Sequence, residues 1–144
     1  MSALIDTNVL VYRYDPRDAA KQSMATGLLR DGLERDELRI PHQAIVEFVQ
    51  AVTRPVRRGG PGILTRAEAL REAEELLAQF EILYPNEALL RTAIRGVATY
   101  QLSWFDAHMW AYAENFGLDE ILSEDFSEGQ LIGSVRIRNP FVAI

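Results

Sequence analysis

The chain contains no cysteine. That excludes disulfides, thiolate catalysis and cysteine-based zinc or iron–sulfur sites. No stretch approaches the roughly 18 apolar residues that a membrane span requires, so no membrane association is expected. The N-terminus lacks the basic, apolar and small-residue regions of a secretory signal, which makes the cytoplasm the expected compartment. Lysine is nearly missing: Lys21 is the only one, and the net charge is −6. Nucleic-acid binders are usually basic, so the overall charge argues against a general one. The positive charge present is arginine and is unevenly spread. Arg54, Arg57 and Arg58 crowd into "TRPVRRGGPG", and Arg136 and Arg138 lie near the C-terminus. Such arginines either contact phosphate or coat a solvated surface.

With 144 residues, the chain has room for one domain with a substantial core and too little for two; a single domain over residues 1–144 is expected. Short strands are expected at Ala3–Asp6, "ELRIPH", "FEILY", "DEILSED" and "SVRIR". Helices are expected from Thr7, over Arg17–Glu34, from Pro41 to Thr53, and in "TRAEALREAEELLAQF", "NEALLRTAIRGVATY" and "SWFDAHMWAYAENFG". Pro41 suits a first helical turn, where its missing N–H goes unused. Thr65 and Glu68 form a capping box, and Leu70, Ala73, Leu77 and Phe80 are read as the apolar stripe of that helix. "PVRRGGPG" is the obvious loop. Strands alternating with helices predict an α/β domain of three layers, a mostly parallel central sheet flanked by helices.

Four acids stand in unusual company. Asp6 and Asp125 each follow a short apolar strand ("ALID", "ILSED"), which puts both at the carboxyl edge of a parallel sheet, where open α/β sheets bind ligands. Glu47 is the only formal charge between Pro41 and Thr53. A helix so poor in charge is expected to be covered on most sides, and a covered carboxylate needs a partner. Asp106 sits in an equally charge-poor helix and is expected to share a face with Trp110. Each acid also has a plain structural reading: Glu47 as a solvated side chain, Asp106 as half of a Ser103–Asp106 capping box, and Asp125 with Glu124 as an acidic turn. Converging carboxylates without lysine would repel one another, and a divalent cation resolves that. His42 and His108 lie about 140° and 200° around their helices from Glu47 and Asp106. An all-oxygen site therefore suits magnesium or manganese better than zinc.

The ordered set "LIDTNVL", Glu47 in "AIVEFV", "WFDAHMWAYA" and "ILSEDFSEGQLIGSVRIRNPF" resembles the PIN domain, the ribonuclease fold of VapC-type toxins in toxin–antitoxin pairs. The resemblance runs along essentially the whole chain. It implies that Asp6, Glu47, Asp106 and Asp125 bind Mg2+ or Mn2+. It implies that Thr7 or Ser123 orients a carboxylate or a water. Asn8 is either part of that site or a helix cap, and Glu124 stands beside Asp125 as an alternative ligand. The resemblance further implies metal-dependent hydrolysis of RNA phosphodiesters, an antitoxin protein that covers the cleft, and a homodimer. Arg54, Arg57 and Arg58 are the candidate phosphate contacts. Apolar residues such as Val9, Leu10, Val11, Leu28 and Leu29 are the expected source of dimer surface. The rival reading is a catalytically inactive PIN-like domain that binds RNA or another protein. A phosphatase of the haloacid-dehalogenase type fits less well, because position 8 is Asn rather than a second Asp.

Overall fold

The computed structural model describes residues 2–142. In chain order the elements are β1 (Ala3–Ile5), α1 (Thr7–Tyr12), α2 (Ala19–Arg35), β2 (Leu38–Pro41), α3 (His42–Thr53), α4 (Arg66–Gln79), β3 (Glu81–Leu83), α5 (Glu87–Tyr100), α6 (Trp104–Asn115), β4 (Glu120–Leu122), β5 (Leu131–Ile132) and β6 (Val135–Arg138). The six strands form one sheet in the order β3-β2-β1-β4-β6-β5. Every pairing is parallel except β5 with β6. The fold is thus the expected α/β arrangement, with one short antiparallel edge strand that has no counterpart in the predicted elements. β5 is two residues long and sits in "GQLIG", too short to leave an alternating pattern.

Side-chain alternation splits the core into two layers, because successive residues of a strand face opposite sides of the sheet. Ala3, Ile5 and Leu122 join a cluster with Val9, Leu29 and Phe48 under α1–α4. Leu4 and Ile121 join Leu89, Ala107 and Trp110 under α5 and α6. β1 is therefore covered on both faces, which explains its lack of polar residues until Asp6.

Three local expectations change and one holds. Pro41 is the last residue of β2 and the N-cap of α3, not part of its first turn. The buried stripe of α4 is Ala69, Ala73 and Leu76; Leu70 and Leu77 are about half exposed. Small residues let α4 approach α3 closely, so the packed face carries less apolar bulk than the open one. α3 is covered on most sides, as expected: it buries Ala44, Phe48 and Val52, packs Ile45 and Val49 against the same core, and is open only along His42, Val46 and Gln50. Finally, Val9, Leu10 and Leu29 are buried within the chain, with Val11 and Leu28 packed against them. The three buried ones offer no dimer surface. The exposed apolar stripe is instead Leu90, Ile94 and Val97 on α5. Among the described residues, no helix is long and apolar enough to cross a membrane.

Candidate active site

β1 and β4 lie side by side and parallel in the sheet, so the residues that follow them emerge together at its carboxyl edge. Asp6 leaves β1 in extended geometry and caps α1, accepting a hydrogen bond from Thr7 N at 2.7 Å. Its other oxygen, Oδ2, accepts from the fully buried Ser123 Oγ at 2.6 Å and from Asn8 Nδ2 at 3.4 Å. Ser123 Oγ in turn accepts from Asp125 N at 3.0 Å and from Asn8 Nδ2 at 3.3 Å. Asn8 Nδ2 also donates to Asp125 Oδ2 at 3.1 Å. Asn8 is thus not the helix cap. Asp6 takes that role, and Asn8 ties the two strand-end acids together.

The helix-borne acids approach from the other side. Glu47 on α3 accepts from Thr7 Oγ1 at 2.8 Å and from Gln43 Nε2, one turn earlier, at 2.9 Å. Asp106 lies in the first turn of α6, whose N-cap Ser103 accepts from Asp106 N at 3.2 Å. At α4 the Thr65–Glu68 box is complete, with Glu68 reaching back to Thr65 N at 2.9 Å. At α6 only the Ser103 arm forms, so capping does not occupy the Asp106 carboxylate in the same way.

Asp6, Glu47, Asp106 and Asp125 line one cavity of about 590 Å³, together with Thr7 and Arg54. Phe105 and Met109 complete its α6 side. Trp110 does not reach it: that side chain is buried in the α5–α6 layer, and its Nε1 donates to the Ile132 carbonyl. Burial pushes the Asp6 carboxyl up from 3.8 to about 6, against the pull of the Ser123 and Thr7 hydrogen bonds, and the charges of Asp125 and Glu47 add to the rise. Asp106 is raised by burial as well, against the pull of a Ser103 hydrogen bond, with Asp125 and Glu47 again adding to the rise. The cavity therefore holds an excess of negative charge that the protein only partly relieves.

Glu124 is directed elsewhere. It accepts from Tyr12 OH at 2.7 Å and pairs with Lys21 at 2.9 Å, so the lone lysine is engaged outside the cavity. The arginines divide as well. Arg54 lines the acid cavity, whereas Arg57 lines a separate one of about 430 Å³ beside the Asp15–Arg17 pair. Arg54, expected as a phosphate contact, ends α3; its separation from Arg57 follows from the bends after that helix, which sequence spacing does not report. His42 and His108 lie outside the acid cavity, in a neighbouring groove.

The donor set suits a hard cation. Among the described residues no three His, Cys, Asp or Glu side chains stand close enough to chelate an ion directly. Magnesium tolerates that, because it keeps several waters and commonly takes only one or two carboxylates. The four acids, all oxygen donors with unrelieved negative charge, fit a partly hydrated magnesium or manganese ion and do not fit zinc.

A PIN domain family model matches residues 3–127. No curated protein sequence matches the chain. Solved structures do. A VapC20 toxin of Mycobacterium tuberculosis, described as cleaving the sarcin–ricin loop, superposes with a TM-score of 0.69 at 16% identity, covering 94% of this chain and 99% of that one. A toxin–antitoxin complex from Klebsiella pneumoniae gives 0.67 at 19% identity, with 97% and 98% covered. FitAcB from Neisseria gonorrhoeae gives 0.67 at 19% identity, with 97% and 99% covered. At such identities the likeness speaks for the fold.

Proposed function

The chain belongs to the PIN domain family, and from that premise we propose that it is a magnesium- or manganese-dependent endoribonuclease. We assign it the toxin role in a type II toxin–antitoxin pair, acting as a single catalytic domain in the cytoplasm. The observation that carries the reading is the meeting of Asp6, Glu47, Asp106 and Asp125 around one cavity at the carboxyl edge of the sheet.

Each residue then has a task. Asp6, Glu47, Asp106 and Asp125 would hold the ion, directly or through water. When bound, the ion supplies Lewis acidity, acidifying water and offsetting the charge of the phosphate. Ser123 fixes the Oδ2 oxygen of Asp6, and Thr7 fixes Glu47. Hydrogen bonds of this kind orient ligands and are costly to remove. Arg54 is placed to meet a non-bridging phosphate oxygen, an interaction that gives affinity without sequence preference. Local charge reversal by the ion reconciles an acidic chain with an anionic substrate.

The partners follow from the same reading: RNA as substrate, and a cognate antitoxin covering the cavity. The family's structural relatives include toxin–antitoxin complexes, three of them bound to DNA, which supports an antitoxin here. A homodimer would bury the Leu90, Ile94 and Val97 stripe of α5. Light scattering should then give a dimer at micromolar concentration, and Ile94→Asp should yield a folded monomer.

The deciding experiment is RNA cleavage by purified protein with magnesium and with EDTA, alongside Asp125→Asn. Cleavage should require the ion and fall by orders of magnitude in the variant. RNA binding without metal-dependent cleavage would instead favour the inactive adaptor.

A further inference from the structure

Helix α6 begins in a way that folding does not explain. Trp104 and Phe105, directly after the Ser103 cap, are 49% and 69% exposed. Neither belongs to the core layer that the rest of the helix builds with Ala107, Met109 and Trp110. Two large rings facing water at a helix start gain nothing from burial, and contiguous exposed apolar surface of this kind marks a binding site.

The rings are also held. Trp104 meets the His108 imidazole edge to face, with centroids 4.4 Å apart at 84°. His108 Nδ1 lies 2.8 Å from the Trp104 carbonyl oxygen. A carbonyl only accepts, so Nδ1 carries the proton of that contact, which fixes the ring against the helix start. These side chains line a groove of about 380 Å³ with His42 and Pro85. The groove is continuous with the acid cavity: Gln43, Val46, Glu47 and Phe105 belong to the walls of both. Arg54 lines the acid cavity alone.

We propose that this groove is a nucleobase subsite, in which Phe105, backed by Trp104 and His108, stacks an unpaired base adjacent to the phosphate held at the acid cavity. The inference rests on the nuclease reading and adds the substrate class to it. A strand whose phosphate sits among the acids can carry its neighbouring nucleotide across their shared wall, and Phe105 is the aromatic residue of that wall. Aromatic faces bind splayed bases of single strands and loops, whereas paired bases stay within their own stack. The subsite therefore takes an unstacked base beside the cut.

The test is a cycle between ring and base. Wild type, Phe105→Ala and Phe105→Tyr are titrated with a short unstructured oligoribonucleotide and with a series carrying one abasic site at successive positions. Calcium replaces magnesium, and binding is read by fluorescence anisotropy. Phe105→Ala should weaken binding about tenfold, and Phe105→Tyr should retain it. At one position the abasic RNA should cost the wild type the same factor and the alanine variant nothing. Equal losses on intact and abasic RNA at every position, or no loss at all, would overturn the subsite. If the wild type still cuts RNA in magnesium, only the subsite falls. If the wild type neither binds nor cuts RNA, the nuclease reading falls with it. Weakened binding of an antitoxin peptide by Phe105→Ala with RNA binding unchanged would likewise overturn the proposal and make the groove a protein surface.

Discussion

The two walls of the acid cavity are built to different standards. On the strand side, Asp6 is 5% exposed and takes hydrogen bonds from Thr7, Asn8 and Ser123, while Asn8 and Ser123 also reach Asp125. On the helix side, Glu47 is held by Thr7 and Gln43, and around Asp106 only the Ser103 cap forms. The difference assigns labour. The strand wall fixes one carboxylate in a buried, preset position, and the helix wall leaves its two acids more room to adjust. Fixed geometry is cheapest where two adjacent strands already share a register.

The largest effect that would break this contrast is a pH effect. Folding raises the Asp6 carboxyl from 3.8 to about 6, so the native state holds a proton that the unfolded chain releases. Its contribution to stability without metal is full below pH 3.8 and is lost as pH rises through 6, a span worth about 3 kcal/mol. Asp106, also raised, adds a smaller change of the same sign. Urea unfolding in EDTA should show stability falling across that window, and Asp6→Asn should remove most of the fall. An unchanged slope in the variant would mean that the strand wall does not confine a charge.

Next in size is Ser123→Ala. It removes the donor to Asp6 Oδ2 and an acceptor for Asp125 N in a fully buried place. Stability should drop by about 1–3 kcal/mol, and cleavage by about 10- to 100-fold, as for other groups that orient metal ligands. A loss confined to stability would make Ser123 a structural residue only.

The smallest expected change is on the helix wall. Asp106→Ala should leave the EDTA melt unchanged or slightly higher, because it removes a charge that its neighbours repel. The stabilisation gained from magnesium should shrink. A loss of about 0.5–2 kcal/mol, equal with and without magnesium, would return Asp106 to a capping role.

The same two walls show what sequence could report. The strand-end acids were legible as a pair because an apolar strand that stops on a carboxylate is uncommon, and parallel strands release their next residues at one edge. The positions of Glu47 and Asp106 were legible from the lack of other charge on their helices; α3 is covered except along one stripe, where Val46 and Gln50 border the cavity. Asn8 was not legible. An Asn after an Asp at a helix start reads equally as a cap, and only the approach of the Ser123 loop decides between the two. The α4 stripe was misjudged for a related reason. Periodicity weighs large apolar residues, while close helix contact selects small ones such as Ala69 and Ala73.

One consequence concerns the birth of the molecule. Asp6 and the Ser123 hydroxyl that holds it are 117 positions apart, and β1 takes β4 as a neighbour at the centre of the sheet. During synthesis the first acid therefore leaves the ribosome long before the groups that fix it. Domains complete their folding as units once their sequence has emerged. A stalled or truncated product that stops short of Ser123 carries Asp6 and Glu47 but no assembled cavity. The order in which the polypeptide is made thus withholds the site until β4 and Ser123 have emerged.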